Sequence, residues 1–104
     1  MTDYQYQPLV ISGTINGSGQ TSSAVQLINE FSVCVGGTFN ATVLLERSPD
    51  EGINYFPCST DATGTPASYT APMSVDVMSL RHGMLYRLRC TAYSSGTITW
   101  VIWQ

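Results

Sequence analysis

Alternation of apolar and polar residues with a period of two runs along most of this chain, and no segment replaces it with a helical stripe. It is clearest near the end, where Met84, Tyr86, Leu88, Cys90 and Ala92 interleave with Leu85, Arg87, Arg89, Thr91 and Tyr93. That is the pattern of a strand with one buried and one exposed face. Tyr93-Ser-Ser-Gly96 breaks the run and Thr97 to Gln104 resumes it, which predicts a β-hairpin closing the sequence. Ile98, Trp100 and Ile102 fit its core face. The opposite face, Thr97, Thr99, Val101 and Trp103, turns apolar toward the end. Read as an edge strand, it predicts that something outside the domain covers Val101 and Trp103.

The rest of the chain divides into similar pieces. Tyr6 to Ile15 is a first strand, at an edge because Pro8 cannot donate to a ladder. Asn16-Gly-Ser-Gly-Gln20 is a loop, and Ser23 to Leu27 is a short strand. Phe31, Val33 and Val35 form the next, closed by Gly36-Gly37. Phe39, Ala41, Val43 and Leu45 alternate with Asn40, Thr42, Leu44 and Glu46 in a half-buried strand. Ile53 to Cys58 follows a tight turn, Ser59 to Pro66 is a loop, and Tyr69 to Leu80 reads as one strand bent near Pro72. Arg81-His-Gly83 is a turn. About eight short strands at this spacing predict an all-β fold, a single-domain antiparallel β-sandwich or jelly roll. Residues 1–10 form an N-terminal arm and the start of the first strand, and 11–104 form the sandwich. Phe39, Val43, Leu45, Tyr86, Leu88, Ile98 and Trp100 are the expected core.

Composition narrows the function. Charged residues make up 11% of the chain and there is no lysine, against a usual charged share of about 25%. The polar surface is built from Ser, Thr, Asn and Gln. A net charge of −3 argues against nucleic-acid binding, which needs a basic footprint. Arg87 and Arg89 share one strand face and are expected to pair with Glu46, Asp76 or a partner's carboxylate. No apolar run has the length of a membrane helix or the form of a secretion signal, which predicts a start in a reducing cytosol and no membrane association. Three cysteines without a CxxC motif give neither a disulfide framework nor a zinc site.

Candidate chemistry is sparse. Ser48-Pro-Asp-Glu-Gly-Ile-Asn-Tyr55 fits S-x-D-x-G-x-x-aromatic and resembles the Asp-box hairpin of sialidases, in which the box is structural. Asp50 is placed to accept backbone N–H bonds, Gly52 to take positive φ, and Tyr55 to pack back over the turn. His82, the only histidine, lies in a turn with no nucleophile or orienting acid nominated beside it. Asp50, Glu51, Asp61 and Asp76 show neither the cleft a glycosidase pair needs nor a calcium-loop spacing. These readings predict no enzymatic activity, no cofactor and no metal. Asn16-Gly-Ser18 and Asn40-Ala-Thr42 match the glycosylation sequon, which means little without secretion. Tyr4, Tyr6, Tyr93 and Trp103 are expected to be exposed. Such aromatics stack on sugars or anchor protein interfaces, and the absence of lysine fits an interface better.

Several pieces occur in a suggestive order: Ile11-Ser-Gly-Thr-Ile15, Gly19-Gln-Thr21, Phe31-Ser-Val-Cys-Val35, Gly37-Thr-Phe-Asn-Ala-Thr-Val43, Leu45-Glu-Arg-Ser-Pro-Asp-Glu-Gly52, and Leu85-Tyr-Arg-Leu-Arg-Cys-Thr-Ala-Tyr-Ser-Ser-Gly-Thr97. Together, over most of residues 11–104, they resemble small all-β virion proteins of tailed bacteriophages, of the head decoration (cement) type. Pro49 stands where that pattern commonly has an aromatic, Tyr55 where it has Trp, and His82 and Met84 depart from the usual turn before Leu-Tyr-Arg.

The resemblance implies a capsid decoration protein on the virion surface. It would bind the major capsid protein and stabilise the head by non-covalent stapling, as a homo-oligomer (dimer or trimer). The expected interface comprises Tyr4, Tyr6, Leu9, Arg87, Arg89, Val101, Trp103 and Gln104, with the polar, aromatic-bearing first residues forming an arm that orders on contact. The alternative is a tail- or fibre-associated module that binds host surface glycans through exposed aromatics.

Overall fold

A computed structural model describes residues 9–59 and 66–104 and contains nine strands among them. They are β1 (Val10–Ile15), β2 (Val25–Gln26), β3 (Asn29–Gly36), β4 (Phe39–Ser48), β5 (Phe56–Pro57), β6 (Ser68–Tyr69), β7 (Met73–Ser79), β8 (Leu85–Gly96) and β9 (Ile98–Trp103). No helix occurs among the described residues. Two antiparallel sheets pack face to face as a β-sandwich. Sheet A has the order β1-β9-β3-β7, and sheet B has β2-β8-β4-β5 with β6 also paired to β4.

Alternation dictates the core. Phe31, Val33 and Val35 of β3 and Ile98, Trp100 and Ile102 of β9 point inward from sheet A. Ala41, Val43 and Leu45 of β4 and Tyr86, Leu88 and Cys90 of β8 meet them from sheet B. Phe31 and Tyr86 touch across the sheets with ring centroids 4.7 Å apart. The Trp100 Nε1–H is buried without a partner among the described residues, whereas the buried hydroxyls are bonded. Ser79 Oγ donates to the Leu27 carbonyl (3.1 Å), and the Leu88 N–H donates to Ser22 Oγ (2.8 Å), which avoids the cost of a stranded polar group.

The closing hairpin expected from the sequence is not formed. β8 runs through Tyr93-Ser-Ser-Gly96 and pairs with β4 in sheet B, whereas β9 lies in sheet A. The link between them crosses from one sheet to the other. β9 is also not an edge strand, because it pairs with β1 on one side and β3 on the other. A Gly-containing break between two alternating runs serves a crossing as well as a hairpin, and the local pattern does not distinguish them. The β3–β4 link makes the same crossing at Gly36-Gly37, so the ribbons β3/β9 and β4/β8 bend over together. At this double corner Gly37 (φ 93°) and Gly96 (φ 94°) take left-handed conformations. A Cβ on Gly96 would collide with the Thr38 carbonyl, and one on Gly37 with that of Thr97. The Thr97 N–H donates to the Thr38 carbonyl (3.0 Å) and closes the corner.

Other boundaries shift for identifiable reasons. The expected strand from Tyr69 to Leu80 is two strands in different sheets, β6 and β7, separated at Pro72, which has no N–H for either ladder. The strands expected at Ser23–Leu27 and Ile53–Cys58 shrink to two residues each. β1 is an edge of sheet A and begins at Val10; the Tyr6–Pro8 part of the expected first strand lies outside the described residues. Phe39, expected in the core, is half-buried at the double corner. Irregularities between Asn40 and Ala41 and between Thr42 and Val43 reset the β4/β8 register. Beyond Cys90 the alternation therefore reverses, Ala92 turning out and Tyr93 packing against the core. Tyr93, expected to be exposed, is half-buried and its hydroxyl donates to the Gly96 carbonyl (2.7 Å).

Gly13 occupies the middle of β1 opposite Trp100, and a Cβ there would stand 2.9 Å from the indole Cζ2. The large ring uses the space the small residue leaves. Gly13→Ala is expected to destabilise the domain by about 1–3 kcal/mol through overpacking, and Leu88→Ala by about 2–5 kcal/mol through a cavity. Both are measurable by equilibrium denaturation. A neutral Gly13→Ala would mean that the indole relocates freely.

Candidate functional site

Two outer surfaces carry the side chains with recognition chemistry. The outer face of sheet B is organised by Glu46. On β4 it points away from the core, yet its side chain is only 3% exposed because two arginines from the neighbouring β8 close over it. Arg87 donates Nε–H to one carboxylate oxygen (3.1 Å) and Arg89 donates Nε–H to the other (2.9 Å). Period two puts Arg87 and Arg89 on one face, and the β4/β8 register sets Glu46 opposite Arg87 and Leu44 opposite Arg89. Arg87 is also stacked, its guanidinium carbon 3.6 Å from the centre of the Tyr55 ring.

Tyr55 is delivered by the hairpin whose motif resembles an Asp-box. Asp50 accepts from the Asn54 N–H (2.9 Å), the Asn54 side-chain amide (2.8 Å) and Ser48 Oγ (2.7 Å). Ser48 Oγ in turn accepts from the Gly52 N–H (2.8 Å). Glu51 and Gly52 both have positive φ, so the turn forces one non-glycine residue into the left-handed region. The backbone N–H of Asn54, then the Ser48 hydroxyl and the Asn54 amide, hold the Asp50 carboxyl below its ordinary value of 3.8. The hairpin thus contributes a small, solvent-exposed brace that sets Tyr55 under Arg87.

The outer face of sheet A divides in two. Its β1/β9 half is apolar at one end. Val10 pairs with Trp103, and they are 58% and 44% exposed; Leu9 beside them is 39% exposed. Val101 is half-buried further along β9. Gln104 is held in place, its backbone bonded both ways to Leu9 (2.8 and 3.0 Å) and its side-chain amide donating to the carbonyls of Ile28 and Glu30. The β3/β7 half is acidic. Glu30 and Asp76 lie outward, and Asp76 accepts from Ser32 Oγ (2.6 Å) on the neighbouring strand. Ser32 stands between Asp76 and Trp103 in register, and an open depression is lined by Glu30, Ser32, Asp76, Trp103 and Gln104.

Of the residues expected at an interface, Leu9, Val101, Trp103 and Gln104 come together on sheet A. Arg87 and Arg89 lie on sheet B, the opposite face. Tyr4 and Tyr6 lie outside the described residues. The structure adds Val10, Glu30, Asp76 and Tyr55. Glu30 and Asp76 alternate with Val and Phe residues, which places them on outer faces, but their proximity to Trp103 depends on pairings the sequence does not reveal.

His82 is exposed in the turn before β8. Among the described residues no group of three His, Cys, Asp or Glu side chains is placed to hold a metal ion. The cysteines are free thiols. Cys58 is buried behind β5, and burial raises its thiol to about 11, so it is not a thiolate at neutral pH.

Glu46→Gln is expected to cost about 1–3 kcal/mol by removing the charge from two charge-assisted bonds. Arg87→Ala is expected to cost more than Arg89→Ala, since Arg87 is less exposed and also stacks on Tyr55; denaturation midpoints decide the order. Asp50 sets an acid-side effect. Its lowered folded value means that its contribution is complete above the ordinary carboxylate value and is lost as pH falls through the folded one. An NMR titration is expected to place Asp50 below 3.8, and Asp50→Asn to remove that part of the acid dependence.

Comparison with family models, with curated proteins and with solved structures finds no match to this chain.

Proposed function

We propose that this chain is a decoration protein of a tailed-bacteriophage head, which binds the major capsid protein on the virion surface and reinforces the shell by non-covalent stapling. The observation that supports it best is the apolar corner of sheet A, where Leu9, Val10 and Trp103 lie exposed together, outside the buried core. Aromatic and aliphatic anchors of this kind dominate protein interfaces. The corner is held in place, because Trp103 belongs to an interior strand paired on both sides and Gln104 is bonded to Leu9 on one side and to Ile28 and Glu30 on the other. An anchor already held in place loses little freedom on docking. Residues 1–8 join the domain at this corner, which suits a role for Tyr4 and Tyr6 as further anchors. Many identical copies, each with a modest interface, would together resist pressure from inside the head. In this reading catalysis plays no part, and no cofactor is needed.

The alternative, a tail or fibre module that binds host glycans, calls for aromatics grouped in a concave site. Tyr93 is tied to Gly96, Tyr55 lies beneath Arg87, and Trp103 is the one aromatic of the three beside the open depression on sheet A, so the aromatics are spread over the surface rather than grouped in one site, which favours a protein partner.

Trp103→Ala, or removal of residues 1–7, is expected to release the protein from heads in a particle-binding assay while the isolated domain stays folded. Loss of about 2 kcal/mol at an interface tryptophan weakens each site roughly thirtyfold, and multivalent attachment steepens the release. Variants that remain fully bound would place the interface elsewhere. Wild-type protein that ignores heads but binds host-surface glycans would favour the alternative.

A further inference from the structure

The few charges of this chain are sorted by sheet. The strands of sheet A carry only Glu30 and Asp76, both outward. The outer face of sheet B carries Arg87 and Arg89 against the single carboxylate of Glu46, Arg47 being in register with the inward Tyr86. The strands of one outer face therefore carry net negative charge and those of the other net positive charge.

Each face is also built for the opposite charge. On sheet B, Glu46 neutralises one of its two arginines and takes Nε–H from both. A positive charge remains, and among the described residues the Nη groups of both guanidinia are left as donors. Arg87 is further held by Tyr55, and Arg89 is the more exposed. On sheet A, two carboxylates and the Trp103 ring surround an open depression, the combination that receives a guanidinium, with carboxylate on its edge and aromatic on its face. Most residues around both sites are short, Ser12, Thr14, Ser74 and Thr99 on one side and Thr42, Thr91 and Ser68 on the other; the exception on sheet A is Met78, exposed opposite Glu30, an unbranched side chain that can fold aside. Since the chain has no lysine, arginine is the cation its own acidic face can recruit.

We propose that copies of this chain associate head to tail, the Glu30–Asp76–Trp103 face of one meeting the Arg87–Arg89 face of the next. The partner is a second copy because both halves of the contact are present on one chain. The two-fold alternative, in which like faces meet, would set carboxylate against carboxylate or guanidinium against guanidinium, which is costly. A contact between unlike faces is heterologous and either closes into a ring or continues as a filament. It takes up Trp103 and leaves Leu9 and Val10 of the apolar corner for another partner. The inference deepens the interface reading of Arg87, Arg89 and Trp103 and does not depend on the capsid.

Sedimentation of the whole chain over a concentration series at low and high salt tests it. Wild-type protein is expected to associate with rising concentration, and less so as salt screens the contact. E30Q/D76N, which alters face A, and Arg89→Gln, which alters face B, are each expected to weaken association by tenfold or more. Thr91→Glu, exposed beside Arg89 and clear of Glu46, is a second face-B variant should Arg89→Gln fail to fold. An equimolar mixture of a face-A and a face-B variant has one intact pair of unlike faces, so it is expected to form heterodimers and nothing larger. Wild-type protein that stays monomeric at low salt, association untouched by either class of variant, or a mixture that stays monomeric would each overturn the proposal. Monomeric protein that still binds heads sinks this inference alone, whereas self-association without head binding sinks only the capsid reading.

Discussion

The sandwich depends on the double corner at which β3 passes into β4 and β8 into β9. Each of these strand pairs is a ladder in one sheet that becomes a ladder in the other, so two chain segments must turn over the same edge at once. Their backbones come close enough that Gly37 and Gly96 each occupy space a side chain would need, and the Thr97–Thr38 bond ties the two turns together. Once that corner is set, the register of β3 with β9 follows on one side, while that of β4 with β8 settles on the other only after the two irregularities between Asn40 and Val43. The core faces of both sheets then oppose each other without further instruction. Antiparallel pairings this far apart in sequence form late and with a high closure cost, which makes a precise corner the natural place for the fold to be decided.

Local chemistry was readable in the sequence, and pairing was not. The Ser48–Tyr55 hairpin could be written down because every partner of Asp50 lies within four residues of it. The inward residues of β3, β4 and the first half of β8 follow from alternation alone. The reading went astray at Gly96, where one break in one alternating run is compatible with a hairpin and with a crossing between sheets. It also failed after Cys90, where irregular β4/β8 pairing reverses the inside and outside of β8. The placement of Arg87 and Arg89 on one face was legible, but not the fact that one carboxylate, 41 and 43 residues distant, receives both. Trp103 was expected to be exposed and is, though on an interior strand rather than an edge. What mattered there was the face of the strand, not its rank in the sheet.

Scarcity of charge gives each ionic group unusual weight. Glu46 sits where a hydrophobic residue would otherwise cover β4, and its burial is tolerable only because two donors converge on it. The arrangement also prevents the arginines from ranging over the surface. Long side chains that would lose much freedom on docking are already fixed, so binding there costs less entropy. The same economy governs the outer face of sheet A, where Ser12, Thr14, Ser74 and Thr99 are short and the large exposed side chains are Val10, Met78 and Trp103.

The bonding of Leu9 to Gln104 has a mechanical consequence. β1 and β9 are antiparallel, and these two residues close the same end of their ladder. A load pulling residues 9 and 104 apart would therefore open the ladder bond by bond, like a zip, from that end. A load applied across the two sheets would have to shear several ladders together. The domain is thus compliant when peeled at its terminal corner and stiff when stretched through its body. An attachment made at that corner would yield gradually under strain while the sandwich itself keeps its shape.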